Sequence, residues 1–381
     1  MARYKFDQIA HYLNEKRMPS EADRETYIGL EHLDSGSLTV TRWGSDVDIK
    51  GQKLVMHKGD ILFGRRNTYL KRAAIAPHDG LFSAHGMIWR PKEDVVDAGF
   101  FPFFVSSDYF MDEAIRISVG SLSPTINWRD LKELEFDLPD IDTQRKLSTL
   151  LWAMERAKTA YKNLIARTDE LVKSQFVEMF GLPGTDTFGW GLVSLGSVCL
   201  INPKKSQDSR LVANLSVSFV SMPAVTEHGE IDATEKRKYD EVKTGFTYFA
   251  ENDVLFAKIT PCMENGKGAV ARGLHNGIGF GSTEFHVLRP LKGVSDPQWI
   301  YTLTIFPQFR YDAANNMTGS AGQRRVPASF LESYRVAVPP IDLQEQFAAF
   351  VTQADKSKFA AQQALADLTA TQKALMRQYL G

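Results

Sequence analysis

Two short segments rich in arginine, lysine and asparagine carry side chains of the kinds that bind nucleic acid. The first, GRRNTYLKR, follows the apolar run DILF and contains Arg65, Arg66, Asn67, Tyr69, Lys71 and Arg72. The second, AKITPCMENGKG, directly follows the similar run DVLF and contains Lys258, Thr260, Asn265 and Lys267. Arginine, lysine and asparagine donate hydrogen bonds to base edges, and the two cations also neutralise phosphates. Equivalent placement after the same predicted strand favours base reading over a solvated loop.

A second pair of segments follows a Gly-Ser dipeptide that occurs in both halves of the chain. The first segment carries Ser123, Thr125, Asn127 and Arg129, and the second carries Gln323, Arg324 and Arg325. These side chains offer the same hydrogen-bonding chemistry to DNA. A solvated turn before a strand explains them equally well, so both interpretations stay open.

Charge is distributed unevenly along the chain. The formal net charge is −1, which argues against a general nucleic-acid binder, yet residues 50–72 hold seven Lys or Arg against one acid, Asp60. A local basic face on a neutral protein suits a sequence-selective binder. A solvated charged loop is the competing interpretation.

Motifs for phosphate binding and methyl transfer are absent from the sequence. Gly266-Lys267 is followed by Gly268, and Pro261 stands where a phosphate-binding loop needs its first glycine. The adenine methyltransferase tetrapeptide is Asn or Asp, two prolines and an aromatic residue, whereas the only Pro-Pro pair here is flanked by Val338 and Ile341. We therefore expect a chain that is not itself an enzyme.

Nuclease and metal chemistry have equally weak support. Asp48-Ile49-Lys50 imitates a nuclease Asp-x-Lys triplet, but such triplets arise by chance among 46 acids and 45 bases. His85 and His286 have no partner at ligand or triad spacing. Two cysteines, at 199 and 262, lack zinc-site spacing and predict reduced, partly buried thiols. No metal site is predicted.

Two similar nine-residue segments occur 200 residues apart: LPDIDTQRK begins at Leu138 and VPPIDLQEQ begins at Val338. Aligning the two regions without a gap over 52 positions gives ten identities, among them Gln144/Gln344 and Lys158/Lys358. Upstream, Asp97 falls on Asp296 and Phe110 on Phe309 at an offset of 199, and GDILF falls on NDVLF at an offset of 193. A repeat this long predicts two tandem copies of one folded unit.

Residues 142–180 and 342–380 are predicted to form long helices, because neither stretch contains proline or glycine and both are rich in strong helix formers. Asp142 and Asp342 are placed to cap these helices or to lie in their first turns. Apolar or neutral residues recur at alternating steps of three and four, which predicts a coiled-coil seam. Each helix would be ~58 Å long, or roughly 17 base pairs, so we expect a spacer.

The two seams predict that the helices pack antiparallel against each other. Bulky seam residues in the first helix and small ones in the second would interdigitate at native density. The predicted packing residues are Leu147, Met154, Tyr161 and Leu164 in the first helix and Ala354, Ala361, Ala364 and Leu375 in the second. In this register Tyr161 faces Ala361, and Leu147 lies near Leu375.

Length and composition fit two globular domains joined by these helices. A chain of 381 residues with 43% hydrophobic and 24% charged residues can bury ordinary cores. Short β-type runs precede each helix, and GLPGTDTFGWG is a glycine-rich linker. We predict an α+β fold: two pseudo-symmetric globular domains at 1–137 and 182–337, and two long antiparallel coiled-coil helices at 138–181 and 338–381.

Two variable α+β domains, each followed by a long helix that Pro-x-Ile-Asp-x-Gln introduces, resemble the specificity subunits of type I restriction-modification systems over essentially the whole chain. The resemblance rests on LPDIDTQRK, VPPIDLQEQ, the Gly-Ser of VGSLSP and TGSAGQRRVP, and PCMENGKGAVARGLHNGIGFGSTEFHVLRP. The first copy reads LPDID and QRK where the family more commonly has PP and EQ. This difference predicts a locally altered start of the first helix.

The resemblance implies a function in host defence. The globular units would be target recognition domains for a bipartite, asymmetric double-stranded DNA site with an unread gap. The helices would set the gap and dock two methyltransferase subunits, and through them restriction/translocase subunits. No cofactor would bind this chain, while S-adenosylmethionine, Mg²⁺ and ATP would bind the partner subunits.

Two other function classes compete with this interpretation. A single-chain site-specific nuclease would need a metal-binding acidic cluster, which the sequence does not offer. A coiled-coil protein adaptor without DNA binding would not need basic, asparagine-containing loops at equivalent places in both copies. The sequence has no long uncharged apolar run, and its first residues, MARYKFDQIAHYLNEKR, are charged where a signal peptide is apolar. We expect a cytoplasmic protein with no membrane partner.

Overall fold

The structure is a computed structural model that describes residues 1–320 and 322–380. The chain divides into two compact units, one made of residues 1–162 together with the residues from 362 on, and the other of residues 163–361. Each unit therefore includes half of each long helix, whereas the predicted domain boundaries lie at the helix ends. The reason is that each half-helix packs into the core of one unit.

Helices in the first unit surround its core and lead into the first long helix. They are α1 (Phe6–Ile9), α2 (Phe101–Ser106), α3 (Asp108–Arg116), α4 (Trp128–Leu131) and the first half of α5 (Ile141–Phe180). In the second unit they are α6 (Tyr239–Val242), α7 (Pro297–Ile305), α8 (Pro307–Asn315), α9 (Ala328–Ser333) and the first half of α10 (Ile341–Leu380). Among the described residues, none of the helices combines the length and the apolar composition that a membrane span requires.

Antiparallel sheets form the first unit. Its strands are β1 (Ala2–Lys5), β2 (Ala10–Leu13), β3 (Lys16–Arg17), β4 (Lys53–Met56), β5 (Ile61–Gly64), β6 (Ala73–Ile75), β7 (Gly80–Phe82), β8 (Gly86–Pro91) and β9 (Glu135–Leu138). The sheet orders are β2-β8-β5-β6, β3-β4-β7 and β1-β9. Strand β9 leads directly into α5, so the sheet fixes where the long helix starts.

The second unit repeats this arrangement with additions. Its strands are β10 (Leu192–Ser194), β11 (Cys199–Ile201), β12 (Ser216–Val220), β13 (Lys236–Lys238), β14 (Thr247–Ala250), β15 (Val254–Ala257), β16 (Gly268–Val270), β17 (Ile278–Gly281), β18 (Phe285–Pro290) and β19 (Arg335–Ala337). The sheet orders are β11-β18-β15-β16, β13-β12-β17-β14 and β10-β19. Strand β12 pairs in parallel with β17, and the remaining pairs are antiparallel.

Matching topology supports the sequence repeat. GDILF and NDVLF end in β5 and β15, which lie between equivalent neighbours in their sheets and are buried along their length. A strand covered on both faces needs a continuous apolar run, and both sequences supply one. In addition, Arg90 pairs with buried Asp60 and Arg289 pairs with buried Asp253. The fold is α+β with two pseudo-symmetric copies, as predicted.

Two buried glutamines fasten the long helices to the copies. Gln144 accepts a hydrogen bond from the Asp97 N–H (2.9 Å) and donates to the carbonyls of Val95 (3.2 Å) and Pro139 (2.9 Å). The Gln144 side chain is 1% exposed, so its amide cannot bond to water. These three bonds supply the partners that the buried amide needs, and without them its burial would destabilise the fold. The shared Pro-x-Ile-Asp-x-Gln phrase is therefore a structural clamp.

The second copy repeats this clamp with the same geometry. Gln344 accepts from the Asp296 N–H (2.8 Å) and donates to the carbonyls of Val294 (3.0 Å) and Pro339 (2.8 Å). Both Asp97 and Asp296, which the sequence alignment paired, therefore contact the shared glutamine through their backbones.

The two long helices begin differently, as the LPDID departure predicted. Asp140 accepts hydrogen bonds from the N–H (2.9 Å) and hydroxyl (2.8 Å) of Thr143, which caps α5. Pro340 occupies the corresponding position before α10 and has no side-chain acceptor. Asp142 and Asp342 lie in the first turns, the second of the two places predicted for them.

The half-helices of each unit pack antiparallel. In the first unit, Leu147 and Leu151 of α5 share a core with Met376 and Leu380 of α10, and half-buried Leu375 packs against it. In the second unit, Phe176 and Phe180 of α5 contact the Phe347 ring of α10 at centroid distances of 5.5 and 5.3 Å.

The predicted seam needs one correction. Among the predicted packing residues, Ala354 and Ala361 are also buried, and Met154, Tyr161 and Ala364 are half-buried. Leu164, however, is 47% exposed, so it is not a seam residue. Buried or half-buried positions on α5 recur in steps of four and three from Leu147 through Leu151, Met154 and Lys158, whereas Leu164, like Leu150, lies one residue before that pattern and is exposed. The opposition of Tyr161 and Ala361 stays a prediction.

Candidate nucleic-acid interfaces

The two candidate segments of the first copy lie side by side. Arg66 and Thr125 form an isolated antiparallel bridge, and the Asn67 N–H donates to the Pro124 carbonyl (2.8 Å). The Ile126 N–H donates to the Arg65 carbonyl (3.0 Å). We call residues 65–72 together with 119–129 surface 1.

Side chains of surface 1 are linked through one serine. The Ser123 hydroxyl donates to Asn67 Oδ1 (2.8 Å) and accepts from Arg66 Nε (2.8 Å). Asn67 has a φ of 54°, a left-handed conformation that asparagine tolerates better than most residues. This linkage holds Asn67 and the exposed Arg66 in a defined pose.

Other candidates on surface 1 differ widely in exposure. Tyr69 is 60% exposed, and the Arg129 side chain is 85% exposed with Nε 3.1 Å from Asp130. Arg65 and Asn127 are half-buried. Tyr69 and Arg129 are therefore the most accessible of these side chains.

Lys71 and Arg72 are engaged inside the protein. Lys71 Nζ donates to Asp108 (2.8 Å) and Asp112 (2.7 Å) of α3. Burial lowers the pKa of Lys71, but the hydrogen bonds to both carboxylates outweigh it and raise the pKa above its ordinary value. The Arg72 guanidinium donates to the Leu30 carbonyl (2.8 Å) and to the Arg66 carbonyl (3.3 Å), and burial lowers its pKa. Both predicted DNA contacts thus lie where they hold the loop in place.

The candidate segments of the second copy meet in the same way. Ile259 and Arg325 form an isolated antiparallel bridge. The Val326 N–H donates to the Lys258 carbonyl (2.9 Å), and the Thr260 N–H donates to the Arg324 carbonyl (3.1 Å). We call residues 258–267 together with 317–326, except the undescribed Ala321, surface 2.

Charges on surface 2 are partly neutralised. Arg325 donates from Nε (2.9 Å) and Nη2 (2.8 Å) to the carboxylate of Glu284, and this hydrogen bonding lowers the pKa of Glu284. Arg324 lies 3.5 Å from Glu264. Burial lowers the pKa of Lys258, although Glu284 acts in the opposite direction.

The remaining candidates on surface 2 are polar and accessible. Asn265 and Gln323 are exposed, and Lys267 is half-buried. The Thr260 hydroxyl accepts from the Arg324 N–H (3.1 Å) and so joins the two segments. Surface 2 therefore presents amides where surface 1 presents an arginine and a tyrosine.

Sequence reasoning missed the side chains that support these loops from below. These are Asp108 and Asp112 on α3, Glu284 before β18, and Arg310 on α8. The repeat aligned α3 with α8 through Phe110 and Phe309, which was a usable signal. The supporting residues differ in charge between the copies, so they produced no identity in the alignment.

In the described residues no group of three or more His, Cys, Asp or Glu side chains is arranged to hold a metal ion.

Comparison with known proteins gives the family. The profile of the "Type I restriction modification DNA specificity domain" matches residues 188–368, which include the whole of surface 2. This part of the chain, just under half of its length, therefore belongs to the DNA specificity domain family of type I restriction-modification systems.

Two relatives of this chain come from Escherichia coli. The EcoEI type I restriction enzyme specificity subunit is 37% identical over 202 residues, covering 49% of this chain and 32% of that protein. The EcoAI counterpart is 36% identical over 215 residues, covering 52% of this chain and 35% of that protein. The match therefore spans about a third of the length of these curated relatives.

Solved structures share the fold of this chain over nearly its full length. The S subunit of a type I restriction-modification system from M. genitalium superposes with a TM-score of 0.58 at 12% identity, covering 100% of this chain and 96% of that one. A chain from a study of complex assembly and conformational transition of the type I R-M system gives 0.57 at 17% identity, covering 99% and 97%. At these identities the likeness supports the fold alone.

Proposed function

We propose that the chain is the non-catalytic DNA-recognition subunit of a type I restriction-modification complex, and that it reads a bipartite, asymmetric double-stranded site. One observation carries the proposal: both copies bring two separate polar segments together beside equivalent strands, forming surfaces 1 and 2. Convergence of the same segments in two diverged copies is expected of a shared task.

Different side chains on the two surfaces predict unlike half-sites. Arg66 and Tyr69 of surface 1 suit a guanine edge and apolar or stacking contacts, whereas Asn265 and Gln323 of surface 2 suit adenine. The two 40-residue helices would act as the spacer that sets the unread gap.

Partner subunits would supply the chemistry. We place two methyltransferase subunits, and through them restriction/translocase subunits, on the long helices, where Leu164, Leu171 and Phe359 are 47%, 53% and 62% exposed. Exposed apolar side chains of this size are typical of interaction surfaces when grouped. S-adenosylmethionine, Mg²⁺ and ATP would bind these partners in the cytoplasm.

Half-site competition tests the proposal. Sequencing of modified adenines first maps the site that the complex methylates. The complex with the methyltransferase subunits is then offered duplexes that carry this site, with one half-site altered at a time. Arg65→Ala with Arg66→Ala should relax one half-site and preserve the other, and Asn265→Ala with Lys267→Ala should do the converse. Each lost base contact is worth about 1–3 kcal/mol of discrimination. A uniform loss on every duplex would make these residues phosphate contacts.

The same reagents separate the competing functions. A protein adaptor would give no salt-dependent shift of duplex DNA at any concentration. A single-chain nuclease would cut duplex DNA with Mg²⁺ and no partner. The expected result is sequence-selective binding that weakens as salt rises, with methylation only when the partner is present.

A further inference from the structure

Arg310 of α8 lies under the first loop of surface 2 and holds it by its backbone. The side chain is 7% exposed. Nη1 donates to the Met263 carbonyl (2.9 Å), Nη2 donates to the Gly266 carbonyl (3.3 Å), and Nε donates to the Thr304 carbonyl (2.6 Å). The two loop carbonyls flank Asn265, so one guanidinium fixes both sides of the residue predicted to read a base.

The surroundings of Arg310 suit a fixed support. Its guanidinium lies 4.5 Å from the ring centroid of Phe256 in the central strand β15, which restricts it from one side. A Cβ on Gly268 would lie 3.6 Å from Nη2 and 2.8 Å from the Leu255 carbonyl, so the loop returns to the sheet through a position with little room. Burial lowers the pKa of Arg310 to about 10, so the group keeps its charge at neutral pH.

The corresponding helix of the first copy holds its loop with opposite charge. Asp108 and Asp112 of α3 accept from Lys71 at the end of the loop in surface 1. Lys71 itself has a φ of 47°, which only a well-supported position maintains in a residue other than glycine. Hence α3 presents acids to a loop cation, and α8 presents a cation to loop carbonyls.

We propose that this helix is the platform that poses the reading loop in each copy, and that Arg310 and the Asp108/Asp112/Lys71 cluster are positioning residues that set half-site preference without touching DNA. The inference rests on the proposed function. On this view Lys71 anchors the loop of surface 1 and does not contact a phosphate. Arg310 determines specificity although it is buried below the surface that contacts DNA.

The first experiment compares Arg310→Met and Arg310→Lys in the methyltransferase complex. Competition binding uses duplexes carrying the mapped site with one half-site altered at a time. We expect discrimination at the half-site of surface 2 to fall roughly tenfold or more, because Asn265 loses its pose. Arg310→Lys, which retains the charge but offers one donor group in place of the fork, should recover part of it. The other half-site and the slope of log affinity against log salt should not change.

The second experiment uses half-buried or exposed side chains of the first copy that do not belong to its hydrophobic core, so their replacement leaves the core intact. Lys71→Met and the pair Asp108→Asn with Asp112→Asn should each reduce discrimination at the half-site of surface 1 to the same extent. Combining them should add little, because all three residues serve one anchor. Glu113→Gln on the same helix and Tyr311→Ala on α8 are matched controls that should leave both half-sites unchanged.

Two results would overturn the inference. If Lys71→Met lowers the salt slope by about one and weakens every duplex alike, while the aspartate variants bind normally, Lys71 is a phosphate contact. If neither the Arg310→Met nor the aspartate variants alter half-site preference, the helices are not platforms. Failure of the wild-type complex to discriminate any duplex would instead refute the proposed function.

Discussion

Replacing Gln344 by methionine keeps the length of the side chain and removes all three of its hydrogen bonds. The side chain is 0% exposed, and the groups left behind are the Asp296 N–H and the carbonyls of Val294 and Pro339. Each bond contributes about 1 kcal/mol net, and a buried group without a partner costs about 1–3 kcal/mol. Methionine regains part of this through apolar burial, so we expect a loss of roughly 2–4 kcal/mol in the free energy of unfolding.

The loss should appear as a lower melting temperature of the unit that contains Gln344. For a unit of about 200 residues, 1 kcal/mol shifts the melting temperature by roughly 2–4 °C, which gives roughly 4–16 °C here. Differential scanning calorimetry of the full chain measures it. Gln346→Met, at an exposed position two residues along the same helix, is the matched control. Equal melting temperatures for the two variants would refute the clamp.

Three further outcomes are expected. Leu151→Ala should lower the free energy of unfolding by about 2–5 kcal/mol in urea, whereas Leu150→Ala should cost well under half of that. The reason is that Leu151 is 0% exposed and Leu150 is 45% exposed, and equal costs would contradict the corrected seam. Inserting four residues into both α5 and α10 should lengthen the unread gap by up to ~6 Å, close to two base pairs, with unchanged half-sites in the methylation map. The purified chain with S-adenosylmethionine should methylate no DNA until the methyltransferase subunit is added, and methylation by the chain alone would sink the proposed function.

Several features followed from the sequence because they depend on local patterns. Absence of proline and glycine over 40 residues predicted each long helix, and α5 and α10 begin within a residue of the predicted positions. The continuous apolar runs of GDILF and NDVLF predicted buried strands, now β5 and β15. The gapless repeat predicted a second copy of the same fold, which the matching sheet orders confirm.

Tertiary structure alone decided which polar side chains remain available at the candidate surfaces. Lys71 and Arg66 are five residues apart and look equivalent in the sequence, but folding brings Asp108 and Asp112 from some forty residues away to bind Lys71. The sequence could not identify Arg310 as the residue that holds the loop, because its partners are backbone carbonyls, which every residue has.

The helix seam shows the same division. Hydrophobic spacing identified a packed face on α5, yet the contacts of the folded unit decide which of two neighbouring positions lies on that face. Leu147 and Leu151 are buried, whereas Leu164 is half-exposed. The sequence determined which segments are helix, strand and repeat, since those depend on neighbouring residues. The pairing of charges and the facing of side chains depend on groups that only folding brings within a few ångströms.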